Sequence, residues 1–391
     1  MSEISIFSDR SKLSPRYIPR DLPHREKQIE QIQDIFRGSY LNSDKFPLAI
    51  LQIVGPAGIG KTSTVLKFSK LLENDFMKNR LKMKTAYVNL KLQGGNKYAI
   101  YRLLLERVAP ELPAQGLSAE EMLRYLLRYL HENKIYALII LDEIEYLMKV
   151  TKDSGLIYDL TRLNEFDPDE PCNVKGVIFI ARSTDFYSRL DQAELSTLGR
   201  FPMEFPTYSI KQISDILVSR CSEAFNTKAI GSDVIDEISK ITISPAVNCD
   251  IRYALDLLLY AGNLAEAQGT GRVNLDQIRK VHSQINPSIT TEELEELSKN
   301  QLFTLIALVR ALRVKKKHYV ELREIRLRAL ELIEEFKLKK LDIEDNLHDL
   351  QLRRIIEIRS LKEIGIHGVS LQELEPILQK QIKRDGSSKS D

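Results

Sequence analysis

Residues 55–62 read Gly-Pro-Ala-Gly-Ile-Gly-Lys-Thr, a complete Gly-x-x-x-x-Gly-Lys-Thr spacing. Glycines at these positions let consecutive backbone N–H groups turn inward around a polyphosphate. A helix starting at the lysine adds the positive end of its dipole to the same point. Lys61 is then the cation for the outer phosphates, and the Thr62 hydroxyl is a ligand for Mg²⁺. With Ser63 included, the run Gly55, Pro56, Ala57, Gly58, Ile59, Gly60, Lys61, Thr62 and Ser63 is the candidate cradle for ATP or ADP. A second constellation is Leu138-Ile-Ile-Leu-Asp-Glu143, an apolar run that ends in two carboxylates about 80 residues after the loop. Asp142 there holds Mg²⁺ through water, and Glu143 orients or deprotonates an attacking water. Lys61 and Glu143 are the expected catalytic groups.

These residues need a scaffold that aims them at one point. Pro47–Val54 reads as a buried strand and the residues from Ser63 onward as a helix, so the loop has strand–loop–helix context. Further strands are expected at Met83–Leu90, Ala137–Asp142, Gly176–Ala181 and, briefly, Met203–Phe205. Helices are expected up to about Phe36, at Tyr98–Arg107 and at Ser118–Glu132, the last opening with the capping-box pattern Ser118-Ala-Glu-Glu121. Alternating strands and helices imply an α/β layer on a parallel sheet. From Ser209 to Gln284 the pattern is helical throughout, with breaks at Gly231 and Pro245. Residues 286–291 read as a linker. Beyond it come helices at 294–314, Leu322–Phe336 and Ile343–Leu352, a strand at Ile355–Ile358 and a turn at Gly365–Gly368. Helices closed by a hairpin describe a winged helix. The expected division is 1–206 for the nucleotide-binding α/β domain, 207–286 for a helical lid and 287–391 for a winged-helix DNA-binding domain.

At 391 residues the chain is too long for one ordinary core. Hydrophobic content of 43% and charged content of 29% fit a folded globular chain rather than a disordered or membrane-embedded one. No apolar run approaches the length of a membrane span and no secretory leader is recognisable, so a cytoplasmic, nucleoid-associated protein without membrane attachment is expected. Cys172, Cys221 and Cys249 are far apart and read as free thiols. Net charge is +2, unevenly spread: residues 298–391 carry 20 Lys and Arg against 15 Asp and Glu. A mildly basic last third is compatible with nucleic acid.

Taken together, these motifs make the chain resemble the archaeal origin-recognition initiators, AAA+ ATPases related to eukaryotic origin-recognition and helicase-loading subunits. The resemblance spans nearly the whole chain. Tyr17-Ile-Pro-Arg-Asp-Leu-Pro-His-Arg-Glu26 resembles the family's adenine-side box, Leu141-Asp-Glu-Ile-Glu-Tyr-Leu147 its acidic strand end, Phe205-Pro-Thr-Tyr-Ser209 its Phe-Pro-Pro-Tyr box, and Asp250-Ile-Arg-Tyr-Ala-Leu-Asp-Leu-Leu258 its lid helix. It implies a RecA-like parallel sheet, a helical lid and a C-terminal winged helix. It adds Ile18, Arg25 and Tyr208 to the nucleotide contacts and makes Arg252 both a nucleotide contact and, as the lid's γ-phosphate cation, a third expected catalytic group. It also implies a DNA-contacting helical insertion, here within about Gly94–Gly116.

Three departures from the family pattern bear on function. Its usual asparagine after the fourth strand aligns with Arg182, which would meet a γ-phosphate but not orient water as an amide does. The finger arginine of Leu-Asp-x-Arg aligns with Ala193, leaving Arg189 and Arg200 as the remaining candidates. Fingers are worth roughly 10³–10⁵ in rate, so slow hydrolysis is expected. The presumed recognition helix carries Asp342, Glu344, Asp345 and Asp349, which repel phosphates. DNA contact then falls to Lys337, Lys339, Lys340, Arg353, Arg354 and the wing residues Arg359, Lys362 and His367.

The expected function is an ATP-binding replication initiator that binds duplex origin DNA and helps recruit the replicative helicase, alone or with other initiator paralogues. One alternative is a nucleotide-bound DNA regulator without useful ATPase activity. Another is a clamp-loader-like subunit, for which Ser219-Arg-Cys221 is the suggestive triplet.

Overall fold

The computed structural model describes residues 5–39, 47–93, 96–150, 155–166, 171–245, 247–285, 294, 297–315, 319–338, 340–352, 355–360, 362–366 and 371–387. By backbone proximity the chain falls into two compact units. One is Ser14–Arg220 with Thr242–Leu255; the other is Met1–Leu13, Cys221–Ile241 and Asp256–Asp391. This division runs through the helices Ile210–Ala224 and Ile251–Ala267, unlike the three-part division read from the sequence. It places the phosphate loop and Arg252 in one unit.

That unit is built on five strands: β1 Ala49–Val54, β2 Lys82–Asn89, β3 Ile135–Asp142, β4 Val174–Ala181 and β5 Met203–Glu204. All are parallel, in the spatial order β2-β3-β4-β1-β5. Strands β3 and β4 are buried at all eight positions, as their mainly apolar sequences require in a sheet covered on both faces; Lys175, buried near the start of β4, donates its Nζ to the Cys172 carbonyl at 2.7 Å. Helix Lys61–Lys78 follows β1 directly. Helix Ala119–Glu132 opens with the expected capping box, in which the Glu121 N–H donates to Ser118 Oγ and the Ser118 N–H to the Glu121 carboxylate. Gly94 and Gly95 of the expected insertion lie outside the described residues. The helix that follows them, Lys97–Val108, turns Ile100, Tyr101, Leu104, Leu105 and Val108 into the core.

Register decides where the chemistry sits. Asp142 lies opposite Asn89 on one side and Ile180 on the other, while Val54 lies opposite Ala181 and Glu204. The strands end level, so Gly55, Glu143 and Arg182 leave the sheet along one edge. In open α/β sheets that carboxyl edge is the ligand-binding crevice.

In the other unit, Phe7 stacks on Phe225 with centroids 4.6 Å apart, and a Cβ on Gly262 would come within 2.3 Å of Phe7. The N-terminal residues thus pack with helical residues far along the chain, which sequence proximity had assigned to the α/β domain. A second core gathers around helix Lys299–Lys315, whose Leu302, Leu305, Ile306, Leu308 and Val309 are fully buried. Helices Leu322–Phe336 and Ile343–Leu352 follow, then the hairpin β6 Glu357–Ser360 and β7 Glu363–Gly365. Val320 and Ile364 exchange both backbone hydrogen bonds, at 2.9 and 3.0 Å, giving the hairpin a third partner. Helices closed by this small antiparallel sheet form the winged helix read from the sequence.

Two local readings need correction here, and one helix was missed. Ile355 and Ile356 are core anchors, and pairing begins only at Glu357. Ser360 pairs with Glu363 and Glu357 with Gly365, so Gly365 lies inside β7 rather than in a turn, and residues 367–368 of the expected turn lie outside the described residues. An apolar β-branched run has the same local pattern whether it anchors a core or joins a ladder. Helix Leu371–Ser387 was not anticipated; it carries Pro376 inside, and Leu374, Leu378 and Ile382 at helical spacing bury into the core. No helix among the described residues is long and apolar enough to cross a membrane.

Candidate nucleotide site

The loop after β1 folds tightly because two of its glycines occupy the left-handed region, Gly58 at φ 73° and Gly60 at φ 85°. A Cβ on Gly58 would come within 1.8 Å of Asp250 Oδ1. The Ile251 N–H donates to the Gly58 carbonyl at 3.2 Å, so the start of helix Ile251–Ala267 rests on the loop. That contact brings Arg252 to the phosphate side.

Lys61 is 8% exposed, and its Nζ donates to the carbonyls of Gly55 at 2.6 Å and Pro56 at 2.7 Å. Burial lowers its pKa from 10.5 to about 8, against the opposing pull of Asp142 and Glu145. Thr62 Oγ1 donates to Asp142 Oδ2 at 2.6 Å, and the Tyr87 hydroxyl donates to the same oxygen at 2.9 Å. Burial and the nearby Asp142 charge raise the Tyr87 pKa, so it remains a donor. The Glu143 N–H completes the set on Asp142 Oδ1 at 2.9 Å. Paired hydroxyl and carboxylate oxygens suit Mg²⁺, which prefers hard oxygen ligands and takes the rest from phosphates and water. Two protein oxygens, from Thr62 and Asp142, fit a cation whose remaining ligands come from a nucleotide and water.

Glu143 turns out of β3 at φ 57°, an uncommon left-handed conformation for a glutamate. Arg182 at the end of β4 reaches it at 3.2 Å and Glu145 at 3.4 Å. These groups wall a cavity of about 870 Å³. Ile18, Ala57, Gly58, Gly60, Lys61, Thr62, Ser63, Asp142, Glu143, Tyr208 and Arg252 all line it. Pro15, Pro19, Leu22, Pro23, Ile216 and Leu255 give it an apolar end suited to a base.

Arg25, Gly55, Pro56 and Ile59 are not on that wall. Arg25 is 2% exposed, donates to the carbonyls of Ile59 at 2.8 Å and Pro206 at 3.2 Å, and lies 4.0 Å from the Tyr208 ring centroid. It braces the loop from behind. Gly55 and Pro56 offer carbonyls to Lys61. Sequence reasoning missed Tyr87, Asn89, Arg107 and Glu145 as lining residues. Glu145 was visible as a third acid in Asp142-Glu-Ile-Glu; the others carry no local signal.

The DNA candidates are less completely placed. Lys337, Lys340 and Lys362 are exposed, with Lys340 Nζ 3.4 Å from Asp342. Arg359 lies in β6. Lys339, Arg353, Arg354 and His367 lie outside the described residues. On the acidic helix, Glu344 is paired with Arg326, which reduces its repulsion of an approaching phosphate. Arg200 is exposed beside Phe201, itself 98% exposed. Arg220 of the clamp-loader-like triplet donates to the Tyr17 carbonyl at 3.2 Å and packs over the Tyr17 ring.

Residues 48–190 match the AAA domain family and residues 214–283 the Cdc6 AAA+ ATPase-type lid domain. The ORC1-type DNA replication protein 2 of Saccharolobus solfataricus is 31% identical over 371 residues, 93% of this chain and 86% of that protein. The crystal structure of Cdc6p from Pyrobaculum aerophilum superposes with a TM-score of 0.78 at 24% identity, covering 97% of this chain and 99% of that one. The Aeropyrum pernix ORC1 protein in complex with DNA gives 0.64 at 25% identity, covering 98% of each chain. Parallel sheet, phosphate loop, lid and winged helix thus agree with the sequence relationship, and the chain belongs to the archaeal Orc1/Cdc6 family of AAA+ replication initiators.

Proposed function

We propose that this protein is an ATP-binding replication initiator that binds duplex DNA at an origin, hydrolyses ATP slowly and helps recruit the replicative helicase. The observation that carries the reading is the convergence of Lys61, Thr62, Asp142, Glu143 and Arg252 on one cavity. In it, Lys61 exchanges the carbonyls of Gly55 and Pro56 for outer phosphates. Thr62 and Asp142 would hold Mg²⁺, which would supply charge neutralisation of the phosphates. Arg252 contacts the terminal phosphate from the lid side, and Glu143 takes a proton from the attacking water. Arg25, behind the loop, keeps the cradle in shape.

Slow turnover is supported by Ala193 at the finger position and by the ion pair that engages Glu143. The same two features favour a second reading, a DNA-bound regulator that retains nucleotide without useful hydrolysis. A clamp-loader role has less support, because Arg220 is engaged by its own chain. The Aeropyrum pernix ORC1 protein, solved in complex with DNA, supports DNA binding. Cytoplasmic location on the nucleoid, the helicase and paralogue partners, and the three-domain organisation belong to the same proposal. Gel shifts with origin-derived and unrelated duplexes test it, at several salt concentrations and with ATP or ADP. Binding to duplex DNA supports the initiator reading. Absence of duplex binding at low salt with either nucleotide overturns it.

A further inference from the structure

Arg182 holds partners that a phosphate-binding cation would give up. Its side chain is 51% exposed, yet Nη2 lies 3.2 Å from Glu143 and Nε 3.4 Å from Glu145. One guanidinium therefore engages both carboxylates that follow Asp142. The Glu145 oxygens are buried and accept no hydrogen bond, so their charge is compensated by Arg182 together with nearby Lys61. Arg182 also lines the nucleotide cavity, and its charge is close enough to depress the Lys61 pKa. A planar guanidinium can grip carboxylates or a phosphate, but the same N–H groups cannot serve both.

Resting on the nucleotide reading, we infer that Arg182 is a latch on Glu143 that is released by a terminal phosphate. With no γ-phosphate, or with a diphosphate, the guanidinium bridges Glu143 and Glu145 and withholds the Glu143 carboxylate from water. A γ-phosphate competes for the guanidinium, draws it off and frees Glu143. When that phosphate leaves, the Glu145 carboxylate, buried and short of positive charge, pulls the arginine back, because an under-compensated buried charge is costly. An asparagine at this position has no charge to exchange between the two sites. Arg182 is thus a positioning residue that ties availability of Glu143 to the presence of the third phosphate.

The test is equilibrium binding of ADP and of a non-hydrolysable ATP analogue, each with Mg²⁺, to four full-length proteins. These are the wild type, Arg182→Met, Glu145→Gln and the double variant, with thermal melts to confirm folding and Arg182→Lys as a second variant. The latch requires Arg182→Met to lower the triphosphate-to-diphosphate affinity ratio by about tenfold, the scale of one charge-assisted hydrogen bond. Glu145→Gln should raise that ratio through tighter triphosphate binding, with ADP affinity unchanged. In the double variant Glu145→Gln should bring no gain over Arg182→Met alone. A gain that persists without Arg182 identifies ordinary charge repulsion and overturns the latch, as does an Arg182→Met protein that loses both nucleotides equally. Wild-type protein that binds neither nucleotide overturns the nucleotide reading and the latch together.

Discussion

Lys61→Met separates the cost of the phosphate loop from its use. In the fold the Lys61 ammonium is nearly enclosed, donating to the Gly55 and Pro56 carbonyls and drawn by Asp142 and Glu145. The fall of its pKa from 10.5 to about 8 corresponds to roughly 3 kcal/mol of penalty for keeping the charge in the folded state. Methionine keeps the apolar stem and removes the charge, while the two carbonyls can turn to water in the open cavity. The variant should therefore be no less stable than wild type without nucleotide at pH 7, and more stable by up to about 3 kcal/mol. With Mg²⁺-ATP at a hundredfold excess over Kd, wild type gains about 2.7 kcal/mol and the variant should gain nothing. The pH dependence follows from linkage. The folded pKa lies below the unfolded one, so between about pH 8 and 10.5 the unfolded chain keeps a proton that the folded chain has lost, and wild-type stability rises with pH. Lys61→Met lacks that rise, so its advantage should shrink from pH 7 to pH 9.5. Denaturant melts at the two pH values, with and without nucleotide, provide the measurement. A ligand-free variant less stable than wild type at pH 7 refutes the desolvation argument. A full ATP gain in the variant refutes the role of Lys61 in phosphate binding.

Glu143→Gln should abolish measurable phosphate release yet keep nucleotide affinity within a few-fold, because the amide preserves shape and loses the base; unchanged turnover would remove Glu143 from the mechanism. Fast turnover that climbs steeply with protein concentration would instead show that Arg189 or Arg200 acts across an interface. Duplex affinity should fall with salt at a log–log slope of about −0.9 for each phosphate neutralised, and replacing Arg359 and Lys362 together should make the slope shallower by up to about two units. A slope that does not move would take the wing out of the interface. Burial raises the Cys221 thiol to about 12, so it should resist iodoacetamide at pH 8 in the folded protein and react on unfolding; rapid native alkylation, read by mass spectrometry, would contradict its burial.

The nucleotide site was legible in the sequence wherever its determinants are local. A glycine-lysine-threonine loop, an apolar run ending in Asp-Glu and the Ser118 capping box each act within a few residues, so their spacing carries their geometry. The central strands were nearly as plain, because burial in a parallel sheet demands mainly apolar sequence, though buried Lys175 at the start of β4 was not foreseen. What needed the tertiary structure were relations that chain neighbours do not encode. Tyr87 and Thr62 meet on one oxygen of Asp142 only because β2 and β3 pair in one particular register and helix Lys61–Lys78 returns to their ends. Arg25 looked like a nucleotide contact but faces the back of the loop, a choice made by packing against Phe205 and Tyr208. The third partner of the winged-helix hairpin, Val320, and the pairing of Gly365 inside β7 depend on which backbone groups find each other across the sheet. Above all, Arg182 was recognisable as a departure from the family, but its hold on Glu143 and Glu145 was not. Strand order puts the ends of β3 and β4 side by side, and charge partners are chosen by distance in space rather than along the chain.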